Sequence, residues 1–343
     1  MALDNRSQNN KENLNRTGHK GRLLFVLLCV LMVAGGAVLL YLDADRDYRH
    51  GIYRCADRRM MQEPAVPDEN LISTLSARLQ TVAESNPGME QYVMLIPSAS
   101  CIQSVYLPEG ASVRDQKEDL NHTRAALPAG VTWIDLTELF TAHAGEKLYY
   151  ATDVYLTGWG SRYAAKAALE GMGATVPDSK YKSYLLSDGF RGNLEQDGTL
   201  IQRLLRSKSE RLEIYVPEEE AAYYRMDVAG KDWSGSLYDA RAAEGPNAYD
   251  VFFGGERPLT EIHTAAANNR TILVVGDRMA DSIVPHFVSS FEHIILMHPS
   301  SCSARVEKLI RKYKPEKILY LYDANTFFSD YALAGALPGR RKK

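Results

Sequence analysis

The sequence predicts an α/β domain with a mostly parallel sheet, preceded by one transmembrane helix. Three observations predict it. An uncharged apolar run occupies Leu23–Leu42, and short apolar runs alternate with helical patterns through the C-terminal third. The composition over 343 residues, 45% hydrophobic and 24% charged, suits a chain that buries a core. A formal net charge of -3 excludes a general nucleic-acid binder. Four cysteines without a CxxC pair exclude a zinc ribbon or a thioredoxin-type motif. No internal repeat marks a solenoid.

In chain order, residues 1–22 read as a cytoplasmic tail carrying Arg6, Lys11, Arg16, Lys20 and Arg22. At about 1.5 Å per residue, the run 23–42 spans about 30 Å, the hydrocarbon thickness of a bilayer. Asp43, Asp45 and Asp47 follow it, so the positive-inside rule places the rest of the chain outside the cell membrane. A cleaved signal peptide is the rival reading, with Ala34-Gly-Gly-Ala37 as its small residues. The further apolar residues Val38–Leu42 favour a retained anchor.

Residues 43–69 read as a polar connector with Pro64 and Pro67, and residues 70–330 as the α/β domain. Leu71, Leu75, Leu79 and Val82 recur at helical spacing, and Asn86-Pro-Gly stops them. Tyr92–Ile96 and Thr132–Leu136 are short strands, and Gly158–Gly171 is an Ala-rich helix. Residues 172–257 form an insertion in which only Leu212–Val216 resembles a strand. Then come strand Thr271–Val275, helix Ala280–Phe291, strand Ile294–Met297, helix Ser303–Tyr313 and strand Lys317–Tyr322, before a basic tail over 331–343. Near-continuous apolar strands separated by helices indicate a parallel sheet covered on both faces. Ligands of such sheets gather at the carboxyl ends of the strands, here Pro97-Ser98, Gly276-Asp277-Arg278 and His298.

Two segments then stand out: Tyr149-Tyr-Ala-Thr-Asp-Val-Tyr-Leu-Thr-Gly-Trp-Gly160, and Tyr249 to Asp330 with its Val275-Gly-Asp-Arg278 and Tyr320-Leu-Tyr-Asp-Ala324. With Tyr92–Pro97, Leu107-Pro108 and the Phe190-Arg-Gly192 turn, they resemble the DHHW family of bacterial surface proteins, relatives of the SGNH hydrolases. The resemblance implies a flavodoxin-like three-layer sandwich, one N-terminal anchor and a site at the sheet's carboxyl edge. It also implies work on a cell-envelope glycan beside a membrane-bound O-acyltransferase. The family's Thr-Asp-His-His-Trp-Thr stands here as Thr152, Asp153, Val154, Tyr155, Leu156 and Thr157, and its Asp-Ser as Asp277-Arg278.

Those departures remove chemistry. Ester transfer by a serine needs a hydroxyl, a base in hydrogen-bond reach and an acid that orients the base. Val154 moves no proton, Tyr155 is a poor base near neutral pH, and Arg278 remains a cation. The expected protein is therefore a non-catalytic binding or scaffold component of polysaccharide synthesis or O-acylation. An active acetyltransferase or esterase with a non-standard nucleophile and a purely structural envelope protein are the alternatives. The active reading needs Ser282 as nucleophile and His298 as base. Arg278 is expected to pair with Asp153 or Asp277, or to capture an anionic group beside Tyr155 and Trp159. No cofactor is implied. No metal site is expected either, because no two His or Cys stand at ligand spacing on one element. Cys101 and Cys302 both follow strands at one sheet edge and form a candidate disulfide, or else stay reduced.

Overall fold

The computed structural model describes residues 22, 24–38, 48–176, 180–196, 209–217, 224–226, 232–234, 236–245 and 247–339. Residues 24–38 are helical, and Leu24, Phe25, Leu31, Met32 and Val33 along them are exposed. Among the described residues no helix is long and apolar enough to cross a membrane. Leu23 and residues 39–42 of the expected span lie outside the described residues, as do residues 1–21 of the expected cytoplasmic tail.

Three short strands, β1 (Tyr48–Arg49), β2 (Ile52–Arg54) and β3 (Met60–Gln62), pair antiparallel. The stretch expected as a connector is therefore partly folded, with Tyr53 and Met61 buried. Asp68 then caps the helix Glu69–Ser85 by accepting the N–H groups of Asn70 and Leu71 at 3.0 and 3.2 Å. The residues at helical spacing, Leu71, Leu75, Leu79 and Val82, are its buried face.

The remaining strands are β4 (Glu90–Ile96), β5 (Val131–Ile134), β6 (Tyr181–Phe190), β7 (Glu210–Pro217), β8 (Tyr224–Met226), β9 (Asp232–Ser234), β10 (Leu259–His263), β11 (Thr271–Gly276), β12 (His293–Met297) and β13 (Lys317–Asp323). Eight of them form the central sheet, in the order β5-β4-β13-β11-β12-β10-β8-β9. β5, β4, β13, β11 and β12 run parallel, and β10, β8 and β9 extend the sheet antiparallel. The layered, mostly parallel architecture is as expected, but the order is not that of flavodoxin. The last parallel strand, β13, inserts between β4 and β11 instead of lying at the edge. The helix Val306–Tyr313 makes this return, burying Val306, Leu309 and Ile310 in the same cluster as Leu273 and Val275 of β11.

The pleat divides the core. Met94 and Ile96 of β4 face a cluster built with helix Gly158–Gly171, while Val93 and Leu95 face the helix Glu69–Ser85. This division overturns the proposed disulfide. Cys101 packs against the first cluster and Cys302 belongs to the second, and both are free thiols. Two cysteines near one edge of a sheet still cannot bond through the sheet. The insertion is more regular than its glycines suggest, with β6 and β7 paired as an antiparallel arm. The chain's end is also more ordered than a tail: Leu333, Ala334 and Leu337 are buried, and Arg305 donates to the carbonyls of Gly335 and Leu337 at 3.0 and 3.1 Å. Residues 340–343 lie outside the described residues.

Candidate functional site

The strand ends β11 and β13 meet where the parallel-sheet rule points. A Cβ on Gly276 would lie 2.5 Å from the Leu321 carbonyl oxygen, so only glycine lets the two strands close here. Asp277 then accepts the N–H of Met279 at 3.0 Å and that of Asp323 at 2.9 Å, tying the two ends together. Burial and the neighbouring Asp323 carboxyl raise its pKa. Its oxygens are thus held by these backbone groups and by the Thr326 side chain.

Arg278 follows, with its side chain 19% exposed. Its partners are neither Asp153 nor Asp277. Nη2 donates to Asp250 Oδ1 at 2.7 Å, and Nε lies 3.8 Å from Asp281 Oδ2. Asp250 belongs to a short turn, Ala248–Val251, and also accepts from Asn247 Nδ2 at 2.9 Å. The preceding Tyr249 stacks on Tyr155, with ring centroids 3.9 Å apart and planes 13° from parallel. Burial raises the Tyr155 phenol, with Arg278 opposing and Asp153, Asp277 and Asp281 reinforcing the shift. Tyr155 therefore lies between the two motifs as a neutral ring clamped by a second ring.

Asp153 is buried, and its carboxylate accepts the N–H of Val154 at 2.7 Å and of Asn193 at 2.8 Å. Burial outweighs these bonds and lifts it to about 6. The acid of the motif orients backbone. Thr152 Oγ1 holds the same turn by accepting from Gly192 N at 2.8 Å, and it donates to Glu210 Oε1 at 3.0 Å. Val154 packs with Ile52, Met60 and Leu194.

The residues reserved for an alternative mechanism are sealed. Ser282 is 1% exposed; it accepts from Ser161 Oγ at 2.8 Å and donates to the Met279 carbonyl at 3.3 Å. His298 is also 1% exposed, with Nδ1 donating to the Arg257 carbonyl at 2.7 Å and Nε2 3.0 Å from Asp281 Oδ1. Burial alone would lower His298, but Asp281 and the Arg257 carbonyl raise it to about 9. Arg278, Asp281 and His298 form a chain of charges that closes the strand ends. In the alternative active reading Ser282 is the nucleophile and His298 the base; the structure buries both side chains.

An open cavity of about 620 Å³ lies alongside, between β3, β7 and the start of helix Gly158–Gly171. Trp159, Tyr215, Tyr149, Arg59, Lys147 and Arg211 are among its walls. The Trp159 indole is 37% exposed and pinned by a 2.7 Å bond from Nε1 to Glu146 Oε2. Glu146 also accepts from Tyr163 at 3.2 Å and contacts His143 Nδ1 at 2.6 Å. Arg162 lies over the Trp159, Tyr181 and Tyr215 rings at 4.7, 4.2 and 5.3 Å. Trp159 is thus brought to a different place from Arg278 and Tyr155. Sequence reasoning missed Asp250, Glu146 and Tyr215. Asp250 stood within a quoted motif, but nothing in the local pattern paired it with Arg278.

Comparison with known proteins accords with this geometry. Residues 58–244 match the family model described as the SGNH hydrolase-like domain of acetyltransferase AlgX. No curated protein matches the chain. Among solved structures, a DHHW family protein from Eubacterium siraeum superposes with a TM-score of 0.73 at 20% identity, covering 86% of this chain and 99% of that one. PatB1 of Bacillus cereus, solved with a sulfonyl adduct, has a TM-score of 0.68 at 21% identity, with 84% and 98% covered. The O-acetyltransferase domain of Pseudomonas putida AlgJ has a TM-score of 0.50 at 12% identity, with 82% and 94% covered. A family model spanning more than half of the chain, on a sheet shared with these structures, shows that the protein belongs to the AlgX-type SGNH hydrolase-like family.

Proposed function

We propose that the protein is a membrane-anchored, extracytoplasmic member of its family that binds or scaffolds a cell-envelope polysaccharide and its O-acylation machinery without transferring an acyl group itself. The observation that carries this reading is the Arg278–Asp250 ion pair. The position of the family's serine holds a cation fixed by a carboxylate, and Tyr155, at the position of the family's base, is a stacked phenol. A guanidinium is neither a nucleophile nor a proton acceptor. Loss of nucleophile and base together removes several powers of ten in rate. The cavity beside the motif supports the binding half of the proposal, because a fixed indole with flanking tyrosines suits the apolar faces of a sugar chain, and walls carrying both cations and carboxylates suit its hydroxyls. The partner is a membrane-bound O-acyltransferase, and the exposed apolar side chains along residues 24–38 supply the anchor.

A serine-directed fluorophosphonate followed by intact-mass measurement tests the non-catalytic reading. The native chain and Arg278→Ser are expected to remain unlabelled. The double variant Arg278→Ser with Tyr155→His restores a hydroxyl and an imidazole beside Asp153, and is expected to take one adduct. Stoichiometric labelling of the native chain would refute the proposal.

A further inference from the structure

We propose that Glu261, His263 and His293 form a binding site for a divalent transition-metal ion of the zinc type. The site lies at the opposite edge of the sheet from Arg278. Glu261 and His263 are two residues apart on β10 and so project from one face, and the antiparallel register sets His263 directly against His293 of β12. The three side chains offer one ligand atom each, all within 4.8 Å of one another. Glu261 Oε1 is 2.9 Å from His293 Nε2 and 3.4 Å from His263 Nε2. An ion with tetrahedral bonds of about 2.0–2.2 Å holds its ligand atoms about 3.3–3.6 Å apart, so the His263 distance matches such an edge and the His293 distance must open by about 0.5 Å. Two imidazoles and one carboxylate leave the fourth position to water, a donor set suited to zinc rather than to calcium or magnesium.

The surroundings are those of an oriented ligand. The Tyr313 hydroxyl donates to Glu261 Oε2 at 2.8 Å, which leaves Oε1 turned toward the two imidazoles. Lys312 Nζ is 3.9 Å from Oε2 and donates to Tyr313 at 2.6 Å, on a side chain that is 62% exposed. The two imidazoles stack at 4.2 Å with planes 15° apart. An ion in the plane of both rings therefore requires one ring to turn, and His263, 48% exposed, is the one with room. Bound metal would fasten the antiparallel extension β10-β8-β9 to the parallel strands. The absence of paired His or Cys on any single element hid this site from sequence reasoning, since strand register creates it.

The test uses the full chain, freed of any histidine tag and dialysed against buffered Zn²⁺ at micromolar concentration, with bound metal counted by mass spectrometry. One equivalent is expected. His263→Ala changes an exposed side chain and is expected to weaken binding at least 100-fold while circular dichroism shows the native fold. Tyr313→Phe, a positioning residue, is expected to weaken it about 10- to 100-fold. His122→Ala, at the exposed His122–Glu69 pair elsewhere, should bind like the native chain. Co²⁺ in place of Zn²⁺ should give tetrahedral visible absorption that His263→Ala lacks. Equal binding by the native chain and His263→Ala, or no saturable binding by the native chain, overturns the proposal.

Discussion

Arg278 is surrounded by more negative charge than it can neutralise, and the order in which its acids are engaged fixes the site. Asp250 takes the 2.7 Å bond, whereas Asp281 is shared with His298 at 3.0 Å on its other side. Burial lifts the Asp281 carboxyl, but the imidazolium beside it is the state that both of its neighbours favour. A histidine raised in the folded state to about 9, from an ordinary 6.5, contributes stability that is complete below about pH 6.5 and lost as the pH rises through 9. Urea denaturation at pH 7 and pH 10 should therefore show a larger loss for the native chain than for Asp281→Asn. At pH 7 the same variant should lose about 3 kcal/mol, because it leaves a buried partner uncompensated. Equal pH dependence of the two proteins would mean that His298 is neutral when folded. That Asp153, Tyr155 and Arg278 gather near one strand end was legible in the sequence. The Asp250 partnership was not, because it depends on how a loop more than twenty residues earlier returns to the strand end.

Among the elements, helix Gly158–Gly171 shows a local rule overruled by packing. Alanine normally suits a helix interior better than glycine by about 1 kcal/mol. Yet a Cβ on Gly160 would come 2.1 Å from the Leu148 carbonyl oxygen, a backbone atom held by Thr157 N–H at 2.9 Å. Gly160→Ala should therefore destabilise the protein by about 2 kcal/mol or more, measured as a lowered urea midpoint at unchanged slope. Gly192→Ala should act similarly, since its Cβ would meet Thr152 O at 2.3 Å, whereas Gly189→Ala, with nothing nearer than 4.0 Å, should be close to neutral. The long apolar strands were readable because Ile272–Val275, Ile294–Met297 and Ile318–Tyr322 are buried on both faces and leave no other interpretation. β1 and β3 were not, since strands of two or three residues carry too little periodicity to separate them from a polar linker.

For the whole molecule, the C-terminal segment and the strand order belong together. Helix Ala332–Ala336 packs on helix Glu69–Ser85, and Arg78 donates to the carbonyls of Ala334 and Leu337. Ending the chain after Asp330 removes Leu333 and Leu337, and should expose the apolar face of helix Glu69–Ser85 and lower the melting temperature by several degrees, whereas a tail of no structural importance would leave it unchanged. The sequence disclosed the layered class through its alternating strands and helices. It could not disclose which strand neighbours which, because β4 and β13 are equally apolar beside any partner.

That neighbour relation has a bearing on how the molecule comes into being. β4 and β13 are adjacent at the centre of the sheet, yet the ion pair that closes them, Glu90 with Lys317, joins residues 227 positions apart. A chain emerging from its N-terminus carries β4 with one side unpaired until more than two hundred further residues have followed and β13 arrives. Such a keystone arrangement makes the arrival of β13 the trigger for cooperative folding, and it favours slow closure with a long interval in which a chaperone could hold the open sheet.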